Sequence, residues 1–150
     1  MIHKDLTAFA KSIKHSKIKI EENGRKAIFL NATKETFHLV QVDGALLKNV
    51  VASDFVLAKL KVGDLVIELK GMDVDHAVEQ VFETASYWRD KNYRQGGIAA
   101  LIVSSRVPAF NTKIAKYAAR FKKSFNGPLH VVSQNREFTF ERALSFDGPG

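Results

Sequence analysis

Residues 50–70 read VVASDFVLAKLKVGDLVIELK. Two apolar runs flank Lys61, Val62 and Gly63, a pattern that predicts a β-hairpin whose three-residue loop ends on Gly63 in the left-handed region. Side chains alternate along a strand, so Glu68 and Lys70 face one way and Leu65, Ile67 and Leu69 the other. With that loop, Leu60 falls opposite Asp64, Val56 opposite Glu68 and Asp54 opposite Lys70. Asp54, Glu68 and Lys70 then share one face. The two carboxylates are diagonal neighbours, roughly 7–8 Å apart, a separation one cation can span. Asp64 lies nearer to Glu68 in sequence, but on the same strand four residues are about 13 Å, so Asp54 is the partner. Val66 shares the face of Glu68 among apolar neighbours, and acids on so apolar a strand need partners or a metal.

Working outward, Asp73 is placed to cap a helix over about 74–91. Its apolar stripe is Val74, Ala77, Val78, Val81, Phe82, Ala85 and Trp88, with Gln80, Thr84 and Tyr87 along one edge. Gly71 breaks the strand before it. Residues 98–103, IAALIV, form the continuous apolar run of a strand buried on both faces. Strand, helix, strand makes a parallel βαβ unit. Ser104, Ser105 and Arg106 follow at the carboxyl end of that strand, where α/β sheets place ligands. Pro108 sits in the loop, and Asn111 or Thr112 caps a second helix running to about 125. Ile114, Ala118, Phe121 and Phe125 are its buried stripe, and Lys113, Lys116, Arg120 and Lys123 cluster on another face. Asn126, Gly127 and Pro128 end it, a buried strand follows over 129–133, an edge strand over 137–141, and a loose tail over 146–150.

Upstream, residues 4–14 carry Leu6, Phe9, Ala10 and Ile13 at helical spacing. Strands over 17–20 and 25–31 flank a Glu-Glu-Asn-Gly turn, and a further strand over 37–42 ends at Asp43 and Gly44. No repeat, low-complexity tract or linker interrupts the 150 residues. The expected architecture is one α/β domain with a mixed sheet and helices on both faces.

Composition narrows the function classes. There is no cysteine, which excludes disulfides, thiolate zinc sites and a cysteine nucleophile. A formal charge of +7 and a pI near 9.7 suit a polyanionic partner. No apolar run approaches the roughly 20 residues of a membrane span, and the start lacks a secretory pattern. Cytoplasm is the default expectation. The histidines at 3, 15, 38, 76 and 130 show no ligand spacing, and Trp88 reads as core.

Asp54, then Glu68, Leu69 and Lys70 on the next strand, then a helix bearing Gln80, resembles the PD-(D/E)XK nuclease superfamily. The resemblance covers about residues 49–107, and VIELKGMDVDHAVEQVFETA is its most family-like piece. It implies a restriction-endonuclease-like core of order αβββαβ. Asp54 and Glu68 would ligate Mg²⁺ or Mn²⁺, with the Leu69 carbonyl as a further ligand. Lys70 would orient the attacking water and stabilise charge on the phosphate. Gln80 matches a glutamine that some branches place near the site. The helix over 4–14 offers only Asp5 as the acid many members carry there, so Glu35 and Asp43 both stand open as a third acid. The implied activity is metal-dependent hydrolysis of DNA phosphodiester bonds, with Ser104, Arg106, Lys113, Lys116 and Arg120 as backbone contacts and a homodimer as the form small nucleases of this kind often take. The alternative is a non-catalytic nucleic-acid-binding or protein-interaction module on the same fold. A third reading is a structural protein in which these charges only pair.

Overall fold

The computed structural model describes residues 1–70, 73–105, 111–133 and 136–149. The stretch over 50–70 forms the hairpin, in a different register from the one its spacing predicts. β5 (Phe55–Lys59) and β6 (Gly63–Leu69) pair with Lys59 opposite Gly63, Leu57 opposite Leu65 and Phe55 opposite Ile67. Each β5 residue faces a β6 residue two positions earlier than expected. The loop is Leu60, Lys61 and Val62, and Lys61, not Gly63, has the positive φ of 65°. Gly63 is needed within the strand: a Cβ there would lie 2.7 Å from the Gly97 carbonyl oxygen and 2.8 Å from Leu144. A shift of two leaves every side chain on its expected face. It brings Asp54 directly across from Glu68 instead of diagonal to it.

α1 (Val74–Asp90) crosses over to β7 (Gly97–Ser104), which lies parallel to β6, as the pattern predicts. Asp73 caps the helix, its side chain accepting from the His76 N–H at 3.1 Å. α2 (Thr112–Phe125) makes the second crossover, to β8 (Leu129–Ser133), also parallel. Asn111 caps α2 through the Lys113 and Ile114 N–H groups. Asn126 ends it in the left-handed region, φ 53°. Gly127 follows because any Cβ there would collide with the Ile98 carbonyl.

The N-terminal segment departs from its helical spacing. A 3-10 turn, Lys4–Phe9, leads into strand β1 (Ala10–Ile13), which pairs with β4 (Phe37–Gln41). Leu6 and Ile13 are both buried but serve cores on opposite faces of the sheet, which one helical stripe cannot do. β2 (Lys17–Glu22) and β3 (Arg25–Leu30) form the expected hairpin, tightened to a two-residue turn with Asn23 at φ 51° and Gly24 at φ 78°.

The main sheet has the order β1-β4-β5-β6-β7-β8. α1 and α2 cover one face, around Trp88, Phe121, Val66 and Ala100. The expectation of helices on both faces is met on the other face, among the described residues, only by a short one. That face is covered by a second sheet, β2-β3-β9, with β9 reduced to Glu137–Phe138, and by the short helix α3 (Phe140–Ala143). The edge strand expected over 137–141 stops because Phe140 and Ala143 both turn inward at helical spacing. The tail over 146–149 is partly tied, with Arg142 donating to the Asp147 carbonyl at 2.9 Å. The protein is thus a mixed α/β fold in three layers, helices, mixed sheet and small sheet. No helix of the described residues is long and apolar enough to cross a membrane.

Candidate functional site

The site forms where β6 runs out beneath the start of α1. Asp54 and Glu68 have the parity of Val56 and Val66, whose side chains belong to the core under α1 and α2. They brace each other's backbone. The Asp54 N–H donates to Glu68 Oε1 at 2.9 Å, and the Leu69 N–H donates to Asp54 Oδ2 at 3.0 Å. Lys70, just past the end of β6, places its Nζ 3.1 Å from Glu68 Oε2. The three residues singled out in the sequence therefore converge.

Burial sets the electrostatics. Glu68 is only 2% exposed. Its pKa is pushed up to about 7, first by burial and then by the negative charge of Asp54, against the pull of Lys70. Burial also raises Asp54, with the charges of Glu22 and Asp43 acting in the same direction, while the Leu69 N–H and Lys70 oppose it. Two carboxylates held together out of water favour a shared proton or a cation between them.

The charges of Glu22 and Asp43 bear on the open question of a third acid. Asp43 is held beside the site by its N–H, which donates to the Ser53 carbonyl at 3.1 Å, next to the bond from the Val42 N–H to the Asp54 carbonyl. Glu35 is engaged elsewhere, 2.8 Å from Lys59. Glu22, at the end of β2, went unnoticed because the sequence offers no way to see that the β2–β3 hairpin folds under this end of the main sheet. Among the described residues, no three His, Asp or Glu side chains stand close enough together to hold an ion by themselves.

Gln80 acts one step removed from the carboxylates. Its Nε2 donates to the Ala52 carbonyl at 3.0 Å, and its Oε1 is buried with no partner among the described residues. Thr84, one turn on, accepts from the Ser53 N–H at 2.8 Å. The edge of α1 predicted to border a cleft is thus pinned to the segment that delivers Asp54. Tyr87 lies farther along, ring to ring with Tyr93. Beside Ala52 opens a cavity of about 690 Å³ with Asp43, Lys48 and Gln80 in its walls.

Of the residues named for backbone contact, Lys113, Lys116 and Arg120 lie along α2 and Ser104 ends β7. Ser104 is buried and donates to the Val132 carbonyl at 3.4 Å. Lys113 is 3.4 Å from Glu79, and the Arg120 guanidinium lies over the rings of Phe82 and Tyr117. Lys116 and Lys123 are exposed on α2. Arg106, with Gly71 and Pro108, lies outside the described residues. At the far end of β6, Asp64 is fully buried and accepts from Trp88 Nε1 at 3.1 Å and the Gln95 N–H at 2.7 Å.

Comparison with known protein families, with characterised proteins and with solved structures gives no match.

Proposed function

We propose that the chain is a divalent-metal-dependent nuclease that hydrolyses DNA phosphodiester bonds on a restriction-endonuclease-like core of the PD-(D/E)XK type. The observation that carries this reading is Glu68, almost wholly buried, facing a second acid, with a lysine on its outer oxygen. A purely structural acid gains nothing from a like charge beside it. The connectivity supports the same reading: a three-strand meander β4-β5-β6, a crossover helix, and a strand parallel to the last.

The donor set fits a hard cation. Asp54 and Glu68 supply carboxylate oxygens, and each oxygen that accepts an N–H keeps a second lone pair. Leu69 turns its N–H toward Asp54, and in an extended strand the carbonyl of the same residue faces the same neighbour. Such ligands suit Mg²⁺ or Mn²⁺, which retain waters in their remaining positions. When bound, the ion supplies charge neutralisation at the phosphate and a more acidic water. The protein's own part is orientation. Glu68 keeps the Lys70 ammonium at the mouth of the site, where it can hold a water or the phosphate and offset charge that develops on the phosphoryl oxygens. Gln80 and Thr84 fix the segment carrying Asp54.

The test is incubation of plasmid and oligonucleotide DNA with Mg²⁺ or Mn²⁺, with Glu68→Ala as the control. Cleavage that needs the metal and disappears in the variant, with an unchanged circular dichroism spectrum, is the expected result. No cleavage, together with no Mn²⁺ bound by electron paramagnetic resonance, overturns the reading. The mutual bracing of Asp54 and Glu68 favours a second one, a non-catalytic nucleic-acid-binding module in which the two acids only tie strand ends. That module would bind DNA with steep salt dependence and be indifferent to the metal.

A further inference from the structure

The segment that leads into Asp54 carries two apolar side chains with no core to enter. Val50 is 56% exposed and Val51 47%, although the residues that follow, Ala52 and Ser53, are buried. The valines form a ridge between two cavities. On one side is the cavity of about 690 Å³, walled by Asp43, Lys48, Asn49, His76 and Gln80. On the other is one of about 430 Å³, bounded by Glu79, Glu83 and Tyr117. Both contain Val50 and Val51 in their lining.

The two cavities differ in what they would accept. Glu79 and Glu83 make the smaller one hostile to a phosphate. The larger one sets Lys48 and His76 against a single acid, Asp43, and is also lined by Gln80. Its volume falls within the roughly 300–1,000 Å³ of small-molecule sites, room for a nucleoside. It is also adjacent to the chemistry: the Ala52 carbonyl that Gln80 holds is two residues from Asp54, and Asp43 belongs both to the cavity and to the charges acting on Asp54.

We infer that the Val50–Val51 ridge parts the DNA at the cleavage site and that the larger cavity receives one unpaired nucleotide, so that the substrate class is DNA with unpaired nucleotides next to the scissile phosphate. Apolar wedges inserted between bases are a general means of unstacking DNA. The extruded base stacks against the valines, while Lys48 meets the neighbouring phosphate. This rests on the nuclease reading for the direction of the strand, but not for the binding itself.

The experiment uses the wild-type chain and two DNA probes of equal length, a continuous blunt duplex and a fork with unpaired nucleotides, each labelled with 2-aminopurine. Binding is measured by fluorescence in EDTA, and cleavage separately in Mg²⁺ or Mn²⁺. Extruding a paired base costs a few kcal/mol, so the fork should bind at least about tenfold more tightly. Val51→Trp, which fills the cavity from an exposed position, should erase that preference, and Lys48→Glu should weaken fork binding with less effect on the duplex. Equal affinity for the two probes, or a preference untouched by both variants, overturns the inference even if cleavage is found. A fork preference lost in Val51→Trp but accompanied by neither metal-dependent cleavage nor bound Mn²⁺ sustains the cavity and overturns the nuclease reading instead.

Discussion

The two ends of β6 each hold a buried acid on the same face, under the same helix, and the two are built to opposite ends. Asp64 is surrounded by neutral donors: the Trp88 indole and the Gln95 N–H use both of its oxygens. Burial pushes its pKa up to about 6, with those donors and Arg94 resisting. Glu68 is buried as deeply, yet its neighbour is another acid, and that charge adds to burial in raising it to about 7. A carboxylate completed by neutral donors fastens a helix to a strand. A carboxylate set against its own kind stores an unfavourable charge that a proton or a cation relieves. Raised pKa alone does not separate the two; the company each acid keeps does.

The comparison breaks most sharply on activity. Glu68→Gln keeps the shape and removes the charge, and DNA cleavage should fall by about 10²–10³-fold or more, whereas Asp64→Asn should leave the turnover of folded protein unchanged in the same assay. Stability should answer the other way. Asp64→Ala strands two buried donors at about 1–3 kcal/mol each, read as a lower urea midpoint, while Glu68→Gln should cost little or stabilise. Thr84→Val should cost less, since it leaves only the buried Ser53 N–H without its acceptor, about 1–3 kcal/mol. It should also lower kcat more than it raises KM, because it loosens the segment that delivers Asp54.

The smallest effect is the most discriminating. For both acids the folded chain retains a proton that the unfolded chain has already released, so their contribution to metal-free stability is greatest at low pH and declines as pH rises. The decline should run from 3.8 to about 6 for Asp64 and from 4.5 to about 7 for Glu68. Asp64→Asn should flatten the lower part of a thermal-midpoint profile and Glu68→Gln the upper part. Added Mn²⁺ should raise the midpoint near pH 7 in the wild type and in Asp64→Asn, but not in Glu68→Gln.

Period-two alternation carried the reading of the site. It put Asp54, Glu68 and Lys70 on one face, and that survived a register error of two because such a slip does not change faces. What failed was the loop: Gly63 looks like a turn residue, and nothing local reveals that the Gly97 carbonyl and Leu144 crowd its α-carbon. The parallel β6-α1-β7 unit was legible from one apolar run and one capped stripe. The lower layer was not. Leu6, Phe9 and Ile13 fit a helix until the sheet demands that Leu6 and Ile13 face opposite ways. The role of Glu22 depends on how a remote hairpin docks, and the support Gln80 gives is to a backbone carbonyl, invisible to a reading that asks only which side chains carry charge.

The small sheet has its own consequence, for the order in which the chain can fold. β3 is made early and its parallel partner β9 arrives only at the far end, where Ile28 meets Glu137 and Phe29 meets Phe138. During synthesis the first hairpin emerges with one flank unzipped and with Ile18, Ile20 and Phe29 lacking the strands they will rest upon. A nascent chain halted before β9 would carry that open flank into a crowded cell, where it invites pairing with a neighbour.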